Sequence, residues 1–201
     1  MVEGEGGDEI TALENPVING PYDVPARHFV IGPKGPTGAI ASDRRLSESF
    51  IPVAPVRKRA PRAKGAASMP SASLGEQLTF SLLQEIRQEN KLINELRKDV
   101  ANWRGLGFPG TTATTSKLLR HWADPHRENR ILFAQREAAE TAIFLAEVAG
   151  RTSPFRDRRA VIAGLNAEHN ENLPRMALKM ATGSGKTVVM AMLIAWQTLN
   201  K

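Results

Sequence analysis

The residues whose types and spacing best suit chemistry are Ala181-Thr182-Gly183-Ser184-Gly185-Lys186-Thr187. Two glycines without a Cβ allow the backbone to bend tightly and aim several N–H groups at one anion. The loop is expected to open into a helix, whose N-terminal dipole adds favourable partial positive charge. Lys186 can then reach the β- and γ-phosphates of a nucleotide, and the Thr187 hydroxyl can ligate Mg²⁺. Thr182, Gly183, Ser184, Gly185, Lys186 and Thr187 are therefore the candidate phosphate-binding residues, with Lys186 the candidate catalytic cation and Thr187 the candidate metal ligand. Asp8-Glu9 is the only adjacent acidic pair and precedes the loop, so it does not supply a downstream Mg²⁺ motif. The four histidines, His28, His121, His126 and His169, show no metal-ligand spacing.

The elements expected to hold this loop are a short strand, Met176 to Met180 after Pro174, and a helix from about Lys186 to Leu199. Lys179 interrupts the strand's apolar run. Upstream, Ala138, Ala142, Leu145 and Ala149 share one face of a helix ending at Gly150. Residues 151–173 are polar, and Val161, Ile162 and Leu165 suggest one weak helical turn. A short helix through Trp122 is expected to be capped by Thr115 or Ser116, with a turn or new helix at Asp124-Pro125. From Gln77 to Trp103 the positions Leu82, Leu83, Ile86, Ile93, Leu96, Val100 and Trp103 form an apolar stripe of helical period. Gly105, Gly107, Pro109 and Gly110 end it.

Residues 1–76 hold 9 of the 13 prolines and 9 of the 16 glycines, and they read as an extended or disordered tail. Within it, Asn15 to Phe29 carries Tyr22, His28 and Phe29 among prolines and is expected to lie as a strap along a folded surface. Arg57-Lys58-Arg59 with Arg62 and Lys64 reads as a solvated linker more readily than as a phosphate-neutralising segment. The chain of 201 residues therefore divides into a tail with basic linker (1–76), a helical region (77–127) and an α/β portion (128–201). The net charge of +6 and pI of about 10.0 fit contact with a polyanion or a solvated surface rich in Arg. With no Cys, disulfides, thiolate metal sites and a Cys nucleophile are excluded. The longest apolar run, Val188 to Trp196, falls short of the ~20 residues a spanning helix needs, and the acidic start is unlike a signal peptide. A soluble cytoplasmic protein without membrane contact is expected.

The form Ala-Thr-Gly-Ser-Gly-Lys-Thr resembles motif I of superfamily 2 helicases and translocases. Met180 stands where the general phosphate-loop pattern has Gly, which separates the chain from small kinases. Residues 173–201, LPRMALKMATGSGKTVVMAMLIAWQTLNK, look like the Res subunit of type III restriction enzymes. Looser similarity extends to NPVINGPYDVPARHF (15–29), ELRKDVANWR (95–104) and ILFAQREAAETAIFL (131–145). This resemblance implies an α/β fold, the incomplete start of a RecA-like phosphate-loop NTPase lobe, preceded by helices and a largely irregular N-terminal tail. It implies ATP and Mg²⁺ as cofactors, double-stranded DNA as partner and the modification methyltransferase subunit as a second one. It also implies that Gln135 contacts adenine, its amide matching the N6 and N7 edge, with Phe133 packing near the base. Only 14 residues follow Thr187. The acidic Mg²⁺ motif, the second lobe and the nuclease region of such enzymes are not encoded, so the expectation is an N-terminal piece inactive by itself. The alternative expectation is a basic nucleic-acid- or partner-binding protein that uses no ATP, relying on residues 57–64 and the 77–103 helix.

Overall fold

The computed structural model describes residues 15–32, 35–52, 85–151, 155–169 and 175–200. It is mixed α/β: the described residues form four strands, five α-helices and one π-helical turn. The strands are β1 (His28–Gly32), β2 (Gly35–Ala41), β3 (Glu48–Pro52) and β4 (Glu85–Glu89). The helices are α1 (Lys91–Gly105), α2 (Ala113–Ala123), α3 (Phe133–Ile143), α4 (Arg156–His169) and α5 (Lys186–Leu199), with the π turn Phe144–Val148 following α3. Backbone contacts divide the chain into two compact units, residues 46–94 and the remainder.

In the smaller unit β3 and β4 pair antiparallel, Glu48 opposite Glu89 and Pro52 opposite Glu85. Ser47 is fastened at both polar groups of its backbone. Its N–H donates to Asn94 Oδ1 at 2.7 Å, and its C=O accepts from the Asn90 N–H at 2.9 Å. The helix expected from Gln77 to Trp103 therefore starts only at Lys91. Residues 85–89 instead satisfy their backbone across a strand pair, and residues 77–84 lie outside the described residues.

The larger unit opens with the antiparallel pair β1–β2, with a bulge between Phe29 and Ile31. Within residues 1–76, expected to be an extended or disordered tail, this stretch is a regular two-stranded ribbon in which Phe29 and Ile31 pair with Ile40 and Pro36. The core lies among the helices. Val100 and Trp103 from the predicted stripe are fully buried, and Leu119, Ala139, Ile143, Phe144, Val148, Phe155, Met192 and Trp196 are buried with them. Trp103 anchors it, meeting Phe108 and Phe144 edge-on at 4.9 and 5.4 Å and donating its indole N–H to the Pro109 carbonyl at 2.9 Å. Such edge contacts add about 0.5–1.5 kcal/mol beyond area burial.

Two other expectations change. The cap of α2 is Thr112, not Thr115 or Ser116; its hydroxyl accepts the Thr115 N–H at 3.0 Å. Thr115 is instead fully buried and donates its hydroxyl to Glu147 at 2.6 Å. The weak turn expected near Val161 is the 14-residue helix α4. Val161 and Leu165 remain exposed, so an apolar stripe does not hold it. Phe155 enters the core just before it, and Arg158 binds Asp99 at 2.6 Å and Glu95 on α1. The hydrogen bond to Asp99 is the main cause that raises the Arg158 guanidinium above its ordinary pKa.

Candidate phosphate-binding loop

Residues 175–181 carry no strand ladder, which corrects the strand expected at Met176–Met180. Met176 is 52% exposed, and every described strand belongs to an antiparallel pair elsewhere. A parallel strand needs neighbours and covered faces, and neither is present for this segment among the described residues. The loop that follows is nevertheless well formed. The Ala181 carbonyl accepts from the Ser184 N–H at 3.3 Å, the Ser184 hydroxyl at 2.6 Å and the Lys186 ammonium at 3.0 Å. Gly183 and Gly185 both take φ of +79°, a left-handed conformation that costs other residues roughly 1–2 kcal/mol.

Gly185 is the N-cap of α5, and its carbonyl accepts from the Val188 N–H at 2.9 Å. Among the described residues, the amides of Gly183, Gly185, Lys186 and Thr187 have no hydrogen-bond acceptor. Helix starts leave their first N–H groups unpaired, and here those of α5 are joined by the bend of the loop. The Lys186 and Thr187 residues are exposed. Such a set of donors, one ammonium and one accessible hydroxyl fits a phosphate with an oxygen-ligated Mg²⁺. No group of three or more His, Asp or Glu among the described residues is arranged to hold a metal by itself.

Gln135 reaches the loop from α3, 49 residues away in sequence. Its residue is 6% exposed, and its Nε2 donates to the Ser184 carbonyl at 3.0 Å. Its Oε1 accepts the Leu132 N–H at 3.0 Å, at the start of its own helix. Each end of the amide thus has one protein partner, leaving one N–H and one oxygen lone pair for another. The Gly185 position is equally constrained by this side chain: a Cβ there would stand 2.1 Å from Gln135 Nε2. All six loop candidates and Gln135 are therefore brought together.

Phe133 is placed differently from the expectation that it packs near a base. It is 3% exposed, with the guanidinium carbons of Arg44, Arg104 and Arg136 at 5.6, 5.2 and 5.8 Å from its ring centre. The expected strap lies against this end of α3. The Phe133 N–H donates to the Pro21 carbonyl at 2.9 Å, and Arg130 stacks on Tyr22 at 3.9 Å. Asn19 shapes the strap by accepting from the Ala26 and Arg27 amides at 3.0 and 3.1 Å.

A second contact system fixes the far end of α5. Glu147, in the π turn, accepts from Thr115, from the Trp196 indole at 2.8 Å and from the Thr112 amide at 3.1 Å. Sequence reasoning missed Glu147 and the arginines around Phe133 because their partners are remote in the chain. The described helices include none long and apolar enough to cross a membrane. No family model, no curated protein and no solved structure matches the chain.

Proposed function

We propose that this chain is the ATP-binding part of an ATP-dependent DNA translocase and restriction endonuclease subunit, similar to the Res subunit of type III systems. The observation that carries the reading is the Gln135–Ser184 hydrogen bond of 3.0 Å. It joins the two sequence features on which the nucleotide reading rests, the upstream glutamine and the phosphate loop. Within this reading the loop amides hold the β- and γ-phosphates and Lys186 exchanges its Ala181 acceptor for phosphate oxygen. Thr187 offers its hydroxyl to Mg²⁺, which offsets phosphate charge when bound. The remaining donor and acceptor of Gln135 suit an adenine edge. Turnover further needs a carboxylate to hold Mg²⁺ and orient water, and an arginine from a second lobe. Among the described residues no carboxylate is a hydrogen-bond partner of the loop, and the 201-residue chain by itself is proposed to be inactive in hydrolysis and DNA cleavage.

The test is Lys186→Ala in the translocase that carries this segment. ATP hydrolysis is expected to be abolished with DNA binding largely intact, and unchanged turnover refutes the assignment.

A second reading, a basic binding protein that uses no ATP, is favoured by α2. Lys117 and Arg120 are exposed on a helix that contains no acidic residue. The 57–64 basic run on which this reading also drew lies outside the described residues. DNA binding that weakens steeply with salt, is lost on deleting residues 55–65 and ignores ATP would select it.

A further inference from the structure

Helix α3 carries the glutamine that grips the phosphate loop, yet it begins without a cap of its own. Leu132 stands at its N-cap position and offers no side-chain acceptor. The first helical N–H, that of Phe133, belongs to a buried residue and needs an acceptor. The strap supplies it from a remote part of the chain: the Pro21 carbonyl accepts at 2.9 Å. The Tyr22 ring stacks on Arg130, whose guanidinium carbon is 3.9 Å from the ring centre, and the Tyr22 carbonyl takes Arg136 Nη2 in a long contact of 3.5 Å. Asn19 closes the strap on itself. Its Oδ1 accepts the Ala26 and Arg27 amides at 3.0 and 3.1 Å, and its Nδ2 donates to the Arg27 carbonyl at 2.8 Å. All of these Asn19 bonds lie within the strap.

Gln135 sits in the turn that this contact starts. Its Oε1 holds the Leu132 N–H, one residue before Phe133, and its Nε2 holds the Ser184 carbonyl, each at 3.0 Å. Further along, α3 is fixed independently of the strap: Glu137 takes Arg44 at 2.7 and 2.5 Å, and Glu140 takes Arg104 at 2.7 Å. Losing the Pro21 acceptor therefore frays the first turn alone, since a turn that opens to water satisfies the Phe133 N–H that the protein no longer pairs. We propose that the strap is a positioning element for the phosphate loop: docked on Phe133 it holds Gln135 against Ser184, and undocked it releases Gln135 and loosens the loop. Its polar and ring contacts with this region are one backbone bond, one stack and one long contact. So few anchors place its opening at the low end of local stabilities. Strap docking and ligand binding at the loop are then reciprocally coupled. That consequence rests on the nucleotide reading of the loop, whereas the positioning of the loop does not.

The test uses the full chain labelled with 3-fluorotyrosine. Tyr22 is its only tyrosine, so a single fluorine resonance reads strap docking. Asn19→Ala opens the strap from within and should move that resonance towards its position in urea. Amide exchange across residues 181–188 should then rise about fivefold, the worth of one hydrogen bond, with exchange in α2 unchanged as the control for global unfolding. Gln135→Ala should give the same rise, and adding Asn19→Ala to it should give no more. Tyr22→Ala, which removes the stack on Arg130, serves where Asn19→Ala leaves the resonance in place. Unchanged loop exchange in both strap variants, a rise shared by α2 in both, or additive rises with Gln135→Ala overturns the proposal. In calorimetry, Mg-ATP should bind Asn19→Ala about fivefold more weakly than the unsubstituted chain, and Gln135→Ala equally with and without Asn19→Ala. An equal Kd for Asn19→Ala and the unsubstituted chain also overturns it. If the unsubstituted chain binds no Mg-ATP, the nucleotide reading fails and the exchange experiment by itself decides the role of the strap.

Discussion

Gly185→Ala tests how tightly Gln135 packs against the loop. Gly183 and Gly185 share φ of +79°, so an alanine at either position pays the same left-handed cost, roughly 1–2 kcal/mol. Their surroundings differ. A Cβ at Gly183 meets nothing within 4 Å, whereas one at Gly185 stands 2.1 Å from Gln135 Nε2 and 3.2 Å from Cδ. Gln135 must then leave, giving up its bonds to Ser184 and Leu132, each worth about 1 kcal/mol. The expected destabilisation is about 1–2 kcal/mol for Gly183→Ala and about 3 kcal/mol for Gly185→Ala. In a chain of this size the difference corresponds to a gap of about 5 °C in midpoint. Thermal and urea unfolding of both variants measure it. A double-mutant cycle with Gln135→Ala isolates the cause: with the glutamine side chain already removed, Gly185→Ala should cost only what Gly183→Ala costs, a coupling of about 1–2 kcal/mol. Equal losses at the two glycines, or strict additivity in the cycle, would refute the reasoning.

Two further substitutions test the supports of the loop. Trp103→Ala removes a fully buried ring in contact with Phe108 and Phe144 and should cost about 3–5 kcal/mol in urea unfolding; a loss under about 1 kcal/mol would contradict its place in the core. Glu147→Ala takes an acceptor from Thr115, Trp196 and the Thr112 amide, while Trp196 retains Thr115 at 3.1 Å. The expected cost is about 2–3 kcal/mol, with a change in Trp196 emission, and an unaltered spectrum and midpoint would show that the network does not hold α5.

How much of this was legible depended on whether a residue's partners were near in sequence. Helix α5 has the bounds expected from the apolar run after Gly185, because cap, dipole and apolar pattern are all local. The Gly150 stop was legible for the same reason: the π turn is capped at Ala149, and Gly150 follows with φ of +89°. Glu85–Glu89 was not legible. Its composition suits a helix, and only pairing with residues 48–52, more than thirty positions away, makes it a strand. Among the hydroxyls from Thr111 to Ser116, local sequence offered several caps. Glu147 settled the choice by taking the Thr112 amide and the Thr115 hydroxyl together. The glutamine at 135 was legible as a residue type, but its grip on Ser184 depends on α3 meeting α5.

The hydrogen bonds around Ala181 bear on the proposed exchange of Lys186 from that carbonyl to a phosphate. Three donors converge on that carbonyl, two of them from Ser184 and one from Lys186. When Lys186 swings to an anion, the carbonyl retains both Ser184 contacts, so no buried acceptor is stranded. The Ser184 carbonyl, held by Gln135, and the Gly185 carbonyl, held by the first turn of α5, are likewise independent of the lysine. The cost of recruiting Lys186 is therefore one exposed hydrogen bond, about 1 kcal/mol. A charge-assisted bond to phosphate at a helix start is roughly twice as strong. Phosphate binding as proposed would thus not require the loop to be rebuilt, and the part of the loop that Gln135 secures is held independently of the lysine.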